Sequence, residues 1–310
     1  MALHTDDMTP ENFVITEDSL GEKVKKLIRR TVYPIYLKSR KNALEKNYAH
    51  VKNIGFDELF LGQRGNDYDA HRRRVNKIKS IEGSTVLILG IGTGRDLESW
   101  LRFNPKKIIA VDYFNYEKAW NKRKEQYKEK YDTKIEFVQS DIIEMKKIED
   151  NSIDIIGSDA VFEHINKFHQ AIDELKRVLK VGGILYSNFG PLWYSWGGDH
   201  ISGSDEFVNG YNHISLDKDA YESYLDGFGE FTHSENDGRT WIRNNLFSYL
   251  KPNEYLDIIG SKLNRKYVSC IIDENAVKFK LNHNEKFESL AKKHREENLI
   301  VSGITIIYEK

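Results

Sequence analysis

From Glu22 to Lys46 the apolar positions Val24, Leu27, Ile28, Val32 and Ile35 recur at helical spacing among lysines and arginines, which predicts an amphipathic helix interrupted at Pro34. A second helical pattern, DYDAHRRRVNKIKSI, leads into the strand signal STVLILG at Ser84 to Gly90. Beyond it, the β-branched runs KKIIAVD, KIEFVQSD, SIDIIGSD and GGILYSNF are interspersed with the helical segments EKAWNKRKEQYKEKY and HQAIDELKRVLK. Such alternation predicts βαβ units, a parallel sheet covered by helices, over residues 82–190.

After Phe189 the periodicity fails, and GPLWYSWGGDHISGSDEFVNGYNHISL is rich in Gly, Trp, Tyr, His and Asp. An irregular stretch this aromatic suits a cover over a substrate site. Order returns with a helix near Glu254 to Leu263, a strand KYVSCII, a polar helix NEKFESLAKKHREEN and a last strand GITIIYE. The expected division is a loose polar arm and helical extension over 1–81 and a main α/β unit over 82–310, with 190–250 as its insert.

Composition narrows the partners. Forty-seven Lys and Arg nearly balance 48 Asp and Glu for a net charge of -1, so no overall field draws the chain to nucleic acid, and none is expected as partner. The local exception is the basic helix over 22–46. Packing on its own domain with solvated lysines is the simpler expectation, and weak contact with an anionic membrane surface the alternative. The lone Cys270 excludes an internal disulfide and is expected as a buried small hydrophobe. The acidic start MALHTDDMTPENF and the lack of any run near the ~18 apolar residues of a membrane span give a cytoplasmic reading.

The candidate chemistry starts at VLILGIGTGRDL, where Gly90, Gly92 and Gly94 sit between a strand and a helical segment. Glycines there let a ligand approach backbone that a Cβ would screen, and the helix N-terminus would point at that ligand. Asp112, closing KKIIAVD, stands where the second strand of a Rossmann-like unit delivers a carboxylate to ribose hydroxyls. Together they predict a nucleoside site. A dinucleotide fingerprint places its third glycine five positions after the first; here it comes four after, which disfavours a nicotinamide oxidoreductase.

G-x-G-x-G followed by Arg95 and Asp96 resembles the pattern of class I S-adenosylmethionine-dependent methyltransferases, and the resemblance extends over residues 84–190. FVQSD is similar to the family segment whose acid and next amide bracket the adenine. IDIIGSDAVFEHI is similar to the fourth motif of the type 11 branch, with Glu163 and His164 in its Glu-His pair. LKRVLKVGGIL resembles the leucine-rich helix and fifth strand. The resemblance implies a Rossmann-like, doubly wound seven-stranded sheet whose last strand is antiparallel. It implies S-adenosylmethionine as cofactor, contacted by Gly90, Ile91, Gly92, Gly94, Asp112, Tyr113, Asp141, Ile142 and Ser158. Gln63 and Arg64 are candidates for closing over its carboxylate end.

The acceptor is expected to be a small molecule or glycan. A hydroxyl acceptor needs a base, and histidine is the side chain tuned for it. His200, in WGGDHISG, is the first candidate and His164 the second, ahead of His213 and His169. Asp199, His200 and His213 could meet Asp159 or Glu163 around a divalent ion, but the spacing matches no compact ligand motif and no metal is assigned. Trp193, Tyr194 and Trp196 are candidates for stacking on a sugar or planar ring. N- or C-methylation, and a non-catalytic nucleoside-binding scaffold, remain open on sequence alone, as does the oligomeric state.

Overall fold

The computed structural model describes residues 19–62, 68–232 and 237–310. Gln63 and Arg64 therefore lie outside the described residues. The first element, α1 (Leu20–Asn47), is followed by the single turn α2 (Ala49–Lys52) and a short strand β1 (Glu58–Leu61). Two expectations change here. The helix runs through Pro34 without ending, since losing one N–H donor among 28 residues does not outweigh the rest of the ladder. The extension is also not wholly helical: β1 pairs in parallel with a C-terminal strand, Glu58 opposite Ser269 through Leu61 opposite Ile272. Glu58 reinforces that edge, accepting from the Tyr267 hydroxyl at 2.6 Å and from Lys41 Nζ at 3.3 Å.

Next come α3 (Tyr68–Ile78), β2 (Thr85–Leu89), α4 (Glu98–Leu101), β3 (Lys107–Asp112), α5 (Glu117–Lys128), β4 (Lys134–Gln139), β5 (Ile153–Asp159), α6 (Phe168–Val178) and β6 (Leu179–Phe189). The insert is less irregular than its composition predicts, since it folds α7 (Asn212–Ser215), α8 (Lys218–Asp226) and α9 (Arg239–Arg243). The chain finishes with α10 (Pro252–Gly260), β7 (Asn264–Ile272), α11 (Glu274–Asn282), α12 (Asn284–His294), α13 (Glu296–Ile300) and β8 (Val301–Glu309).

The strands form one eight-stranded sheet in the order β1-β7-β8-β6-β5-β2-β3-β4, one strand more than expected. All neighbours are parallel except β8, which runs antiparallel to both β6 and β7. Strand alternation sorts the core into two layers. Val86 and Ile88 of β2 join one apolar cluster with Val75, Trp100 and Trp120, while Leu87 and Leu89 join the other with Ile172 and Leu175 of α6. Each large side chain buried this way contributes about 1.5–3 kcal/mol. Strand order reverses between the parallel neighbours β2 and β5, with β3 and β4 on one side and β6 on the other, so their C-terminal ends bound the crevice where open α/β sheets bind ligands.

Candidate active site

The glycine loop lies on that crevice. Gly90, Gly92 and Gly94 all take left-handed conformations, with φ of 63°, 52° and 79°. A Cβ on Gly90 would lie 2.2 Å from Val161 Cγ2, so β5's exit packs directly on the loop, whereas a Cβ on Gly92 would meet nothing within 4 Å. Gly92 is thus the place where unscreened main chain faces open space. The helix that follows is shorter than expected: α4 is a single turn starting at Glu98, after a run of turns. The loop itself, through Gly90 and Ile91, and not a long helix end, borders a recess there.

Asp112 reaches the loop. Its Oδ2 accepts the Gly92 N–H at 2.7 Å and its Oδ1 the Phe114 N–H at 2.9 Å, while Trp120 Nε1 donates to the Gly92 carbonyl at 2.7 Å. Asp112 and the loop are therefore one hydrogen-bonded unit. Tyr113 beside it is exposed, Ile91 and Ile142 are buried, and Asp141 is exposed after β4 with its Oδ1 accepting from the Ile143 amide. Ser158 is fully buried with its Oγ unpartnered, in register with Leu89 and Ser187, so it lines the sheet interior and not the open crevice. The unscreened Gly92, the carboxylate beside it and the flanking exposed ring make a cradle that fits a nucleoside cofactor.

Sequence reading missed Arg72. It is fully buried on α3, paired with Asp159 at the end of β5, with its guanidinium 4.1 Å from the Trp100 ring centroid and 5.0 Å from that of Tyr186. Tyr186 completes the group by donating to Asp159 Oδ1 at 2.7 Å. Arg72, Asp159, Gly90, Asp96 and Trp100 line that small recess. A signal existed: Arg72 precedes the buried Val75 by three residues and so shares its inward face.

The histidines separate sharply. His164, in a short 3-10 turn after β5, points Nδ1 at the Leu246 carbonyl at 2.9 Å, and its ring centroid lies 4.9 Å from that of His200. A carbonyl can only accept, so Nδ1 carries the hydrogen and Nε2 presents a lone pair. Burial, helped by the neighbouring His200, lowers the His164 pKa to about 3. His200 is exposed at the residue level, with its ring against those of His164 and Phe247, and desolvation lowers its pKa to about 4 against the opposing pull of Asp199. Its φ of 67° is unusual outside glycine.

His213 is buried, its Nε2 2.6 Å from the Trp193 carbonyl, and His169 is exposed on the outer side of α6; neither stands with the pair. Asp199 does not orient His200. Its carboxylate is saturated by the amides of Ile201 and Ser202, the Ser202 hydroxyl and the Tyr221 hydroxyl at 2.6 Å. Burial alone would raise its pKa, but the facing His213 and these donors hold it low. Asp159 is likewise taken by Arg72 and Tyr186, and among the described residues no group of three His, Cys, Asp or Glu side chains could hold a metal ion.

The three aromatic candidates Trp193, Tyr194 and Trp196 diverge. Trp196 packs on Phe207 and donates to its carbonyl, Tyr194 meets His294, and Trp193 alone joins Phe247 at 4.9 Å beside the histidine pair. The ring that reaches the cofactor side is one the sequence did not single out. Trp241 of α9 lies 4.6 Å from His164 and 5.8 Å from Phe114, bridging the ends of β5 and β3.

Glu163 fastens the insert. Its Oε1 accepts the Gly190 N–H at 2.9 Å where the insert starts, and its carbonyl accepts the Ser248 N–H at 2.9 Å where the insert ends. Oε2 is buried without a partner, and burial pushes the carboxyl up to about 8.

Residues 87–187 match the family described as "Methyltransferase domain" (Methyltransf_11). Among solved structures, the chain is similar to an S-adenosylmethionine-dependent methyltransferase from Mesorhizobium loti, at 12% identity over 78% of this chain and 96% of that one, TM-score 0.47. It is similar to phosphoethanolamine N-methyltransferase 2 from Haemonchus contortus, at 14% identity over 79% and 53%, TM-score 0.48. A third is geranyl diphosphate C-methyltransferase from Streptomyces coelicolor A3(2), at 11% identity over 77% and 78%, TM-score 0.46. No curated protein matches the sequence. With the glycine loop, its acid and this match in place, the chain carries a class I S-adenosylmethionine-dependent methyltransferase domain related to the Methyltransf_11 family, and S-adenosylmethionine is its cofactor.

Proposed function

We propose that this methyltransferase O-methylates a small-molecule or glycan hydroxyl, with His200 as general base and His164 beside it. The observation that carries the reading is an accessible, uncharged imidazole at the crevice: His200 is exposed, and its lowered pKa leaves it unprotonated at neutral pH. In this reading residues 82–310 form the catalytic unit, 190–250 cover the acceptor, and the buried thiol of Cys270 suits a cytoplasmic setting.

When bound, S-adenosylmethionine supplies a methyl group on a sulfonium that departs as a neutral thioether. Gly90, Ile91, Gly92 and Gly94 would hold it by main chain, Asp112 by its ribose hydroxyls, and Tyr113, Asp141 and Ile142 around its base. Ser158 belongs to the wall beneath, and Arg64 is retained as a candidate for the carboxylate end. Arg72 shapes the neighbouring recess. The insert excludes bulk water and orients the acceptor in line with the methyl.

The acceptor oxygen becomes strongly acidic as its bond to carbon forms, so even a base with a low pKa can take the proton late in the step. A lone pair of the acceptor oxygen makes the new bond, and the hydroxyl proton passes to a ring nitrogen of His200, leaving the O–H electron pair on the oxygen. A methyl-transfer assay with hydroxylated acceptors tests this. His200→Ala should slow transfer by about 10²-fold or more with cofactor affinity unchanged. An amine or carbon acceptor with its own lone pair or carbanion would lose little, and near-full activity in that variant would assign N- or C-methylation instead. Cofactor binding without turnover on any acceptor would assign a scaffold.

A further inference from the structure

The apolar stripe of α1 is not absorbed by the fold. Leu20, Val24, Leu27, Ile28, Val32 and Ile35 follow one helical face and are 48–80% exposed, so the expectation that this stripe packs on its own domain is overturned. Among the described residues, the helix is anchored at its other end, where Leu44 packs against the core and Lys41 reaches Glu58. Spanning roughly 22 Å at the helical rise, the stripe presents a continuous apolar strip. Its single interposed hydroxyl, Thr31 Oγ1, donates to the Leu27 carbonyl at 2.9 Å and needs no water.

We propose that α1 docks this face into an anionic lipid surface, lying in the plane of the interface. Charge decides the occupant. Between Leu20 and Lys41 the sequence has eight lysines and arginines against the single acid Glu22, while the whole chain has a net charge of -1. Basic residues flanking an exposed apolar face match a negatively charged headgroup layer. A second copy would bring two such cationic segments together, and the stripe gives way to Lys38 and Lys41 where a longer helix pair would need apolar residues. No helix among the described residues is long and apolar enough to cross a membrane, which leaves interfacial docking as the mode.

The test is co-sedimentation of the full-length protein with vesicles of phosphatidylcholine alone and of phosphatidylcholine mixed with phosphatidylglycerol. Binding to the mixed vesicles at low salt should exceed that to the neutral ones by about tenfold or more and fall as salt rises. The double variant Leu27→Glu/Ile28→Glu should drop to the neutral-vesicle level while keeping its thermal midpoint and its S-adenosylmethionine affinity. No binding to the mixed vesicles overturns the proposal, as does binding that the double variant retains. A dimer in solution that the same variant splits, without vesicle binding, would assign the stripe to a second copy and equally overturn it.

Discussion

His164 and His200 face each other with ring centroids 4.9 Å apart, in surroundings that keep both uncharged. For a lowered histidine pKa the neutral base persists above the shifted value and is lost as pH falls through it. The kcat/KM profile should therefore stay level from about pH 5 to 7 and drop only near pH 4, not near the 6.5 of an ordinary histidine. Initial rates across that range check this. An acid limb centred near 6.5 would remove His200 in this environment from the role of base.

Gly90 and Gly92 make different demands on the same loop. Gly90→Ala adds a methyl 2.2 Å from Val161 Cγ2 at a left-handed φ, so it should cost roughly 2–4 kcal/mol of stability. Gly92→Ala meets no protein atom within 4 Å and should cost only about 1–2 kcal/mol, from its φ. Its methyl would instead obstruct the cofactor, raising the S-adenosylmethionine Kd by about tenfold or more. Urea unfolding and calorimetric titration of both variants separate the two effects.

What was legible in the sequence is what depends on local pattern. Strand runs such as VLILG and IIAVD, the α6 stripe of Phe168, Ile172 and Leu175, and the Gly90-to-Asp112 spacing each carry their own periodicity or turn chemistry, and the structure places them as expected. β1 was missed because four residues, ELFL, are too few to show a period. Its pairing is supplied by β7, over two hundred residues away, although Gly55 and Gly62 bracket it as turn signals. The Arg72–Asp159 pair was missed for the same reason: a basic run reads as a solvated face until the partner on β5 is placed against it. His164 and His200 were each singled out, but their contact depends on how the insert folds back through Leu246 and Phe247.

Arg72 is fully buried against the half-buried Asp159, so removing one strands the other. Arg72→Met should destabilise the protein by about 3–5 kcal/mol, because the Asp159 carboxyl would be left with Tyr186 in place of its guanidinium partner. The double variant Arg72→Met/Asp159→Asn should recover most of that loss. A double-mutant cycle by urea denaturation measures the coupling, and additive effects would show that the pair does not act as a unit.

Glu163 binds the Gly190 N–H through a carboxyl that remains protonated in the folded state up to about pH 8, against an ordinary value of 4.5. The unfolded chain releases that proton above 4.5 and the folded chain holds it, so stability from this group is full below 4.5 and declines as pH rises toward 8. The decline is about 1.4 kcal/mol per pH unit and levels off above the folded value. Glu163→Gln preserves an acceptor for Gly190 without a titrating proton. Its stability advantage over the wild type should grow from pH 5 to 8 and then stay constant. Glu163→Ala, which leaves the Gly190 N–H without its acceptor, should be less stable than Glu163→Gln by about 1–3 kcal/mol at every pH. Denaturation midpoints of the three proteins across this range decide the matter, and a wild-type-to-Gln difference that does not change with pH would show that Glu163 is ionised in the folded protein.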